Sequence, residues 1–301
     1  MKKLNNANQK SLRKKLKLST SKENKLITII KKIFRIKLPN AATLDDIQNE
    51  INKIPYNKID SYVDKYTKNL LKYNREGFIN IINSMVSGNS GSFKLQELID
   101  KQYSSFVKNE RILQPLLLKF KENVKLIKNI PQEVVNKLQE GYIQGVSFRG
   151  TEVEEYLTNK LGIRARLIIR TESAKVNAAM TEIRAKNLGL NAYIWSTSED
   201  RRVRPSHKIM NGVLVFYGTL LTLDGMTGNA GEFPNCRCLG LPVVELSDIQ
   251  FPIKVAEGNL TIKSKYIKGS HGKDYDVDIV SGAIRVYNKQ EFIKKYGYMF
   301  Q

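Results

Sequence analysis

The sequence predicts an α+β chain with an elongated, mostly helical N-terminal region, a small α/β module after it, and a short β-rich tail. Three observations predict this. Apolar residues recur at i, i+3, i+4 and i+7 in successive stretches between Ala42 and Leu188, which is one face of a helix. Short apolar runs at 190–195, 213–216 and 239–246 are bounded by turn residues and read as strands. Past Leu246, residues 255–267 and 275–287 alternate apolar and polar in strand fashion. The corresponding regions are 1–37 (a basic arm), 38–140 (helical), 141–246 (the α/β module) and 247–301 (a small β-rich extension). At 301 residues the chain can bury a substantial core.

Taken in order, residues 1–37 carry Glu23 as their single acid, with a short apolar face at Leu26, Ile27, Ile29, Ile30, Ile33, Phe34 and Ile36. Such an arm suits DNA or an acidic protein through charge alone, or docking through the apolar patch. Between residues 42 and 83, Ile59, Tyr62, Val63, Tyr66, Leu70 and Tyr73 share one helix face. Tyrosines interleaved with lysines suggest base stacking, but at helical spacing they read as half-buried core aromatics. A Gly/Ser-rich joint at 86–92 separates this from helices expected over 93–109 and 112–128. Pro131 in a first turn opens another helix, running to about Gly145. Thr151 as N-cap with Glu154 predicts a helix that stops at Gly162. A longer one then spans 163–188, closed by Gly189, with Leu167, Ile168, Thr171, Ala174, Val176, Ala178 and Ile183 on its buried side. The third apolar run contains Pro242, which points to a sheet edge. In the tail, 290–296 reads as one short helix.

Lysine and arginine exceed the acids by enough to give a formal charge of +21. That excess favours a polyanion such as nucleic acid, an acidic membrane or an acidic protein surface, although a lysine-rich coding bias produces the same imbalance. Two cysteines do not make a disulfide framework. No secretory signal opens the chain and no run approaches the ~18 apolar residues of a membrane span, so synthesis in the cytoplasm is expected. A Cys236–Cys238 disulfide is not expected there.

The chemistry-bearing residues gather between Tyr193 and Leu241, which holds Trp195, His207 and both cysteines. His207 and the Cys236-x-Cys238 pair sit on loops at strand ends, where three soft ligands can converge on a structural zinc. The alternative is a pair of reduced thiols in the core. Arg170 and Glu172 are two apart on a helix and do not face each other. Asp200 is the candidate partner of Arg170, and Arg202 or Arg204 of Glu172, clamping helix to loop. Among enzymes, His207 with Asp200, or His271 with Lys273 and Asp274, would have to serve a nuclease, and neither has a metal-nuclease spacing. Arg170 with Ser196-Thr197-Ser198 lacks the Glu-x-Glu that an ADP-ribosyltransferase needs. There is no Gly-x-Ser-x-Gly elbow and no P-loop. A structural, non-enzymatic role is therefore expected.

The ordered set Arg170-Thr171-Glu172, Trp195-x-Thr197, Asp200-x-Arg202-Val203-Arg204-Pro205-x-His207, Asn211-Gly212 and Asn235-Cys236-Arg237-Cys238 resembles the phage Mu F-like head-morphogenesis family over roughly residues 141–246. The resemblance implies a minor head protein of a tailed phage or prophage, located in the virion. Its implied partners are the portal protein and the capsid interior during assembly, packaging or ejection. Together with the charge, it makes double-stranded DNA a further candidate partner, bound without sequence preference. It also implies that Arg170, Glu172, Trp195, Asp200, Arg202, Arg204 and Asn235 belong to a shared structural motif. Similar sequences carry cysteines at the places of Arg204 and His207 and a histidine at that of Phe233, so this chain departs from a full four-ligand set. The competing reading is a nuclease or toxin-like effector acting on nucleic acid.

Overall fold

The computed structural model describes residues 6–18, 20–86, 111–143, 149–269 and 272–300. The joint expected beyond Val86, the helix over 93–109, the helix end at Gly145 and His271 lie outside these residues. Helices come first: α1 (Asn6–Leu16), α2 (Thr20–Ile33), α3 (Leu44–Asn52), α4 (Tyr56–Val86), α5 (111–125), α6 (Ile130–Ile143) and α7 (Gly150–Asn187). Strands follow: β1 (Ala192–Ser196), β2 (Val213–Phe216), β3 (Leu221–Leu223), β4 (Met226–Thr227), β5 (Leu239–Pro242), β6 (Ile253–Gly269) and β7 (Gly272–Tyr287). Short helices α8 (Pro205–Ile209) and α9 (Lys289–Tyr296) complete the order. The α+β class holds, with a helical N-terminal region followed by a curled mixed sheet.

The chain folds as two compact units, one from residues 19–71 and 115–173, the other from 1–18, 72–114 and 174–301. These units cut the chain at different places from the expected boundaries at 37, 140 and 246.

The helical unit has an apolar interior set by helical spacing. Leu26, Ile27 and Ile30 of α2, Ile59, Val63 and Leu70 of α4, and Phe120 and Val124 of α5 are buried. Tyr66 stacks on Phe120 with ring centroids 6.1 Å apart, and its hydroxyl meets Ser173 Oγ at 3.0 Å. Tyr66 is thus a core aromatic, whereas Tyr62 on the same expected face is 40% exposed. Helix α3 starts in a capping box, in which Thr43 Oγ1 accepts the Asp46 N–H and Asp46 Oδ2 accepts the Thr43 N–H. Pro55 separates α3 from α4, because the proline ring disfavours helical backbone before it.

Helix α7 corrects two readings. It does not stop at Gly162, and Thr151 lies inside it, after Arg149, whose N–H donates to Glu152 Oε2. Gly162 is not a terminator. A side chain there would run into Lys31, so the glycine allows a close approach. Because the helix is continuous, its buried row runs in steps of four through Val153, Leu157, Leu161, Ala165 and Ile169. Of the side expected to be buried, Thr171 and Val176 are buried, whereas Leu167 is 46% exposed. Gly189 closes the helix with φ +75°, as expected.

The other unit is built on the sheet, in the order β4-β3-β6-β2-β1-β5, with β7 pairing β6. Strand β1 runs antiparallel to β2 and β5, and β6 is parallel to β2 and β3. Every residue of β1 is buried because both faces are covered. Ala192 and Ile194 point into a cluster with Leu12 and Leu16 of α1, Ile81 of α4 and Phe292 of α9. Tyr193 and Trp195 point the other way, into a cluster that includes Cys236 and Cys238. Pro242 ends the path on the edge strand β5, as the sequence indicated.

In residues 1–37 the apolar face is covered within the chain, with Leu12, Leu16, Leu26, Ile27 and Ile30 buried. Apolar faces at helical spacing must be covered, and that requirement outweighs the lysines between them. Of the two readings open for the tail, a small β appendage or an extension of the sheet, the second holds, because β6 lies inside the sheet, pairing with β3 and β2. It pairs with β2 at Lys254 and Val255, then with β3 from Leu260 to Ile262, and the register shifts between the two. Opposite that shift sits Gly282, where a Cβ would come within 2.8 Å of Glu257 O and Leu260 Cα, so only glycine fits.

Candidate functional site

The site forms where β1 ends. Gly212 N–H donates to Trp195 O at 2.8 Å, and Asn211 Oδ1 accepts from Thr197 N–H and Thr197 Oγ1 at 2.9 and 3.1 Å. Asn211 therefore does more than turn the chain; it fixes the loop leaving β1. That loop carries Asp200, whose carboxylate takes the Arg202 N–H and a two-pronged ion pair from Arg237. Arg237 holds the Asp200 carboxyl down to about 2. Next, Arg204 precedes α8 and its Nη2 donates to Pro234 O at 2.7 Å. Pro205 at the start of α8 loses no hydrogen bond there.

Within α8, His207 is 2% exposed. Its ring meets Phe233 edge-on with centroids 4.8 Å apart and Trp195 at 5.6 Å. His207 Nδ1 lies 3.4 Å from Cys238 Sγ and 3.6 Å from Cys236 Sγ, and both cysteines are buried and free. The Cys238 N–H donates to Cys236 Sγ at 3.3 Å. The contact with the Cys238 thiol and the nearby imidazole draw Cys236 toward the thiolate, while the same contact and burial push Cys238 up. The pair thus shares one proton more readily than it loses two. Among the described residues, these three bring together donor atoms that could hold a metal, all lying within 4.8 Å of one another. A small polar recess lined by Ser198, Arg202, Arg204, Asn235 and Arg237 opens onto them.

Sequence reasoning brought most of this together. Trp195, Asp200, Arg202, Arg204, Asn235, His207, Cys236 and Cys238 all lie in or against the site. Asn235 takes φ +51°, a left-handed backbone that asparagine tolerates. The expected clamps are corrected. Asp200 is taken by Arg237, Arg170 Nε lies 3.7 Å from Glu23 Oε2, and Glu172 Oε2 accepts from Asn123 at 2.7 Å. Arg170 and Glu172 thus serve the helical unit.

Two contributors were missed. Arg13 of α1 donates to Ser196 O and, at 2.9 Å, to Arg237 O, so the start of the described chain braces both site loops. Its only signal was being the one arginine of α1 among lysines. The second is the tail. Ser206 N–H donates to Ser264 Oγ at 3.1 Å, and Asp224 accepts from both Ser206 Oγ and Ser264 N–H, fastening α8 to β6.

Fold and site together define a class: a helical region leading into a mixed sheet that encloses an imidazole and two thiols at the ends of its strands. Residues 129–240 match the family described as Phage Mu protein F like protein, against an expected extent of roughly 141–246. A Haemophilus influenzae protein described as an uncharacterized protein is 33% identical over 129 residues, covering 41% of this chain and 28% of that one. The chain therefore spans under a third of the length of that relative. No solved structure matches the chain. No helix among the described residues is long and apolar enough to cross a membrane.

Proposed function

We propose that the protein is a minor head protein of a tailed phage or prophage. In this reading it resides in the virion and associates with the portal and the capsid interior during head assembly, packaging or ejection. The observation that carries the reading is the Mu F-like match over 129–240, which contains His207, Cys236 and Cys238. The geometry is consistent with a role in holding structure. His207 turns Nδ1 onto the two sulfurs, and the Asp200 carboxylate is taken by Arg237. The test is to delete the gene from the phage or lysogen that carries it and examine the induced particles. Loss of filled heads, with the protein found in wild-type particles at low copy beside the portal, is expected. Normal infectious particles without the protein would defeat the reading.

The charge of +21 supports double-stranded DNA as an additional partner, engaged through phosphates. Binding to a random-sequence duplex should weaken steeply between low and moderate salt and should not discriminate among sequences. Affinity that ignores salt would assign the charge to a protein partner instead. Plasmid incubated with the pure chain and divalent metal is expected to stay intact. Cleavage abolished by His207→Ala would establish the nuclease reading in its place.

A further inference from the structure

We infer that His207, Cys236 and Cys238 form a zinc site, with a solvent water as the fourth ligand. The inference rests on geometry and stands apart from the head-protein reading. A tetrahedral zinc with Zn–N of about 2.0–2.1 Å and Zn–S of about 2.3 Å has N···S edges of about 3.6 Å. The two observed separations, 3.4 Å to Cys238 and 3.6 Å to Cys236, are those edges. Hydrogen bonding alone accounts for them less well. Nδ1 has a single proton or a single lone pair, yet it faces two sulfurs at nearly equal range. A cation between the three atoms satisfies all of them at once.

The surroundings fit a thiolate-bound metal. The Cys238 N–H directed at Cys236 Sγ is the charge-assisted donor that a metal-bound thiolate accepts. The ligand loops are held without the metal. Arg204 ties α8 to Pro234, and Arg237, between the two cysteines, ties their loop to Asp200. Trp195 and Phe233 wall the imidazole, which limits its rotation. Two thiolates and an imidazole select zinc over magnesium or calcium, which require oxygen. The recess adds no further carboxylate, thiol or imidazole, so its contribution to the fourth vertex is water. Bound there, zinc cross-links α8 to the Cys-x-Cys loop.

The full chain, purified under reducing conditions and reconstituted with zinc, should retain one zinc per chain after dialysis. Cobalt in its place should show a thiolate charge-transfer band with tetrahedral d–d absorption. Cys238→Ser should abolish the band, and His207→Gln should weaken metal affinity about tenfold or more. Because loss of a cysteine can unfold the loop, the unmutated chain supplies a second reading. Zinc should slow modification of both thiols by a disulfide reagent about tenfold or more, with the rate restored by chelator. Substoichiometric zinc after reconstitution, or thiols that react equally fast with and without it, would overturn the site.

Discussion

The helical unit and the sheet unit are stabilised differently. In the helical unit the interior is mainly apolar, with Glu23, Thr67, Thr171 and Ser173 buried in it, and ion pairs such as Lys121 with Asp64 and Arg164 with Glu133 lie at the surface. Exposed pairs of that kind contribute about 0–1 kcal/mol each. In the sheet unit, polar groups go inside. Asn74, Asn177, Thr181 and Arg184 form one buried network, and Ser206, His207 and Asp248 are buried as well. A buried polar network needs each partner in place, so this unit tolerates less change. Because the enclosed polar groups of that network are joined, a change at one reaches the others.

The sharpest test compares two large buried aromatics. Phe120→Ala and Trp195→Ala should each destabilise their own unit by about 3–5 kcal/mol in chemical denaturation. Only Trp195→Ala should also raise the reactivity of Cys236 and Cys238, since Trp195 walls the site. If Phe120→Ala raised it equally, the two units would not be independent in this respect. Two helical glycines give the next contrast. Gly77 faces the backbone carbonyl of Lys15, which cannot move aside, whereas Gly162 faces the end of the flexible Lys31 side chain. Gly77→Ala should cost about 1–3 kcal/mol through overpacking. Gly162→Ala should be neutral or stabilise by up to about 1 kcal/mol through helix propensity.

Asp248 bears on pH. Burial pushes its carboxyl up to about 6, although the Val244 and Glu245 N–H groups donate to it. A raised carboxyl contributes its full stability below the ordinary value near 3.8 and loses it as pH rises through 6. Asp248→Asn keeps an acceptor for the two N–H groups and removes the charge. It should therefore be more stable at pH 7, by about 1–2 kcal/mol, and should lack the decline between pH 4 and 6. Asp200 has the opposite sign. Held down to about 2, it stabilises above its ordinary value and loses that contribution as pH falls toward 2. Its side chain is 38% exposed, so Asp200→Asn should reduce stability at neutral pH by about 1 kcal/mol or less. An acid midpoint unchanged in that variant would remove the Arg237 pair from the stability argument.

Much of this was legible in the sequence because it is local. Strand β2 was read as 213–216 and observed there, and β1, the edge proline Pro242, the helix end at Gly189 and the closing helix near 290–296 came from apolar runs and turn chemistry. The gathering of His207, Cys236 and Cys238 was also legible, from residue types at strand ends. Long-range contacts were not. Nothing near Asp200 in the chain distinguishes Arg237 from Arg170 as its partner, since both are arginines far along the sequence. The continuity of α7 was lost at Gly162, where a glycine inside a helix reads like one ending it. The role of the tail was hidden because an alternating strand looks the same at the centre of a sheet as at its edge.

Arg13 lies 183 residues before Ser196 and 224 before Arg237, yet it bonds the backbone of both. During synthesis α1 leaves the ribosome long before the loops it braces exist, so although α4 follows it early, the sides of Leu12 and Leu16 that meet the sheet wait until β1 and β5 are made. Closing so wide a separation late is slow. In the interval α1 is an apolar, basic segment available to chaperones or to another nascent copy of the chain, and the order of translation thereby sets when this unit becomes safe from aggregation.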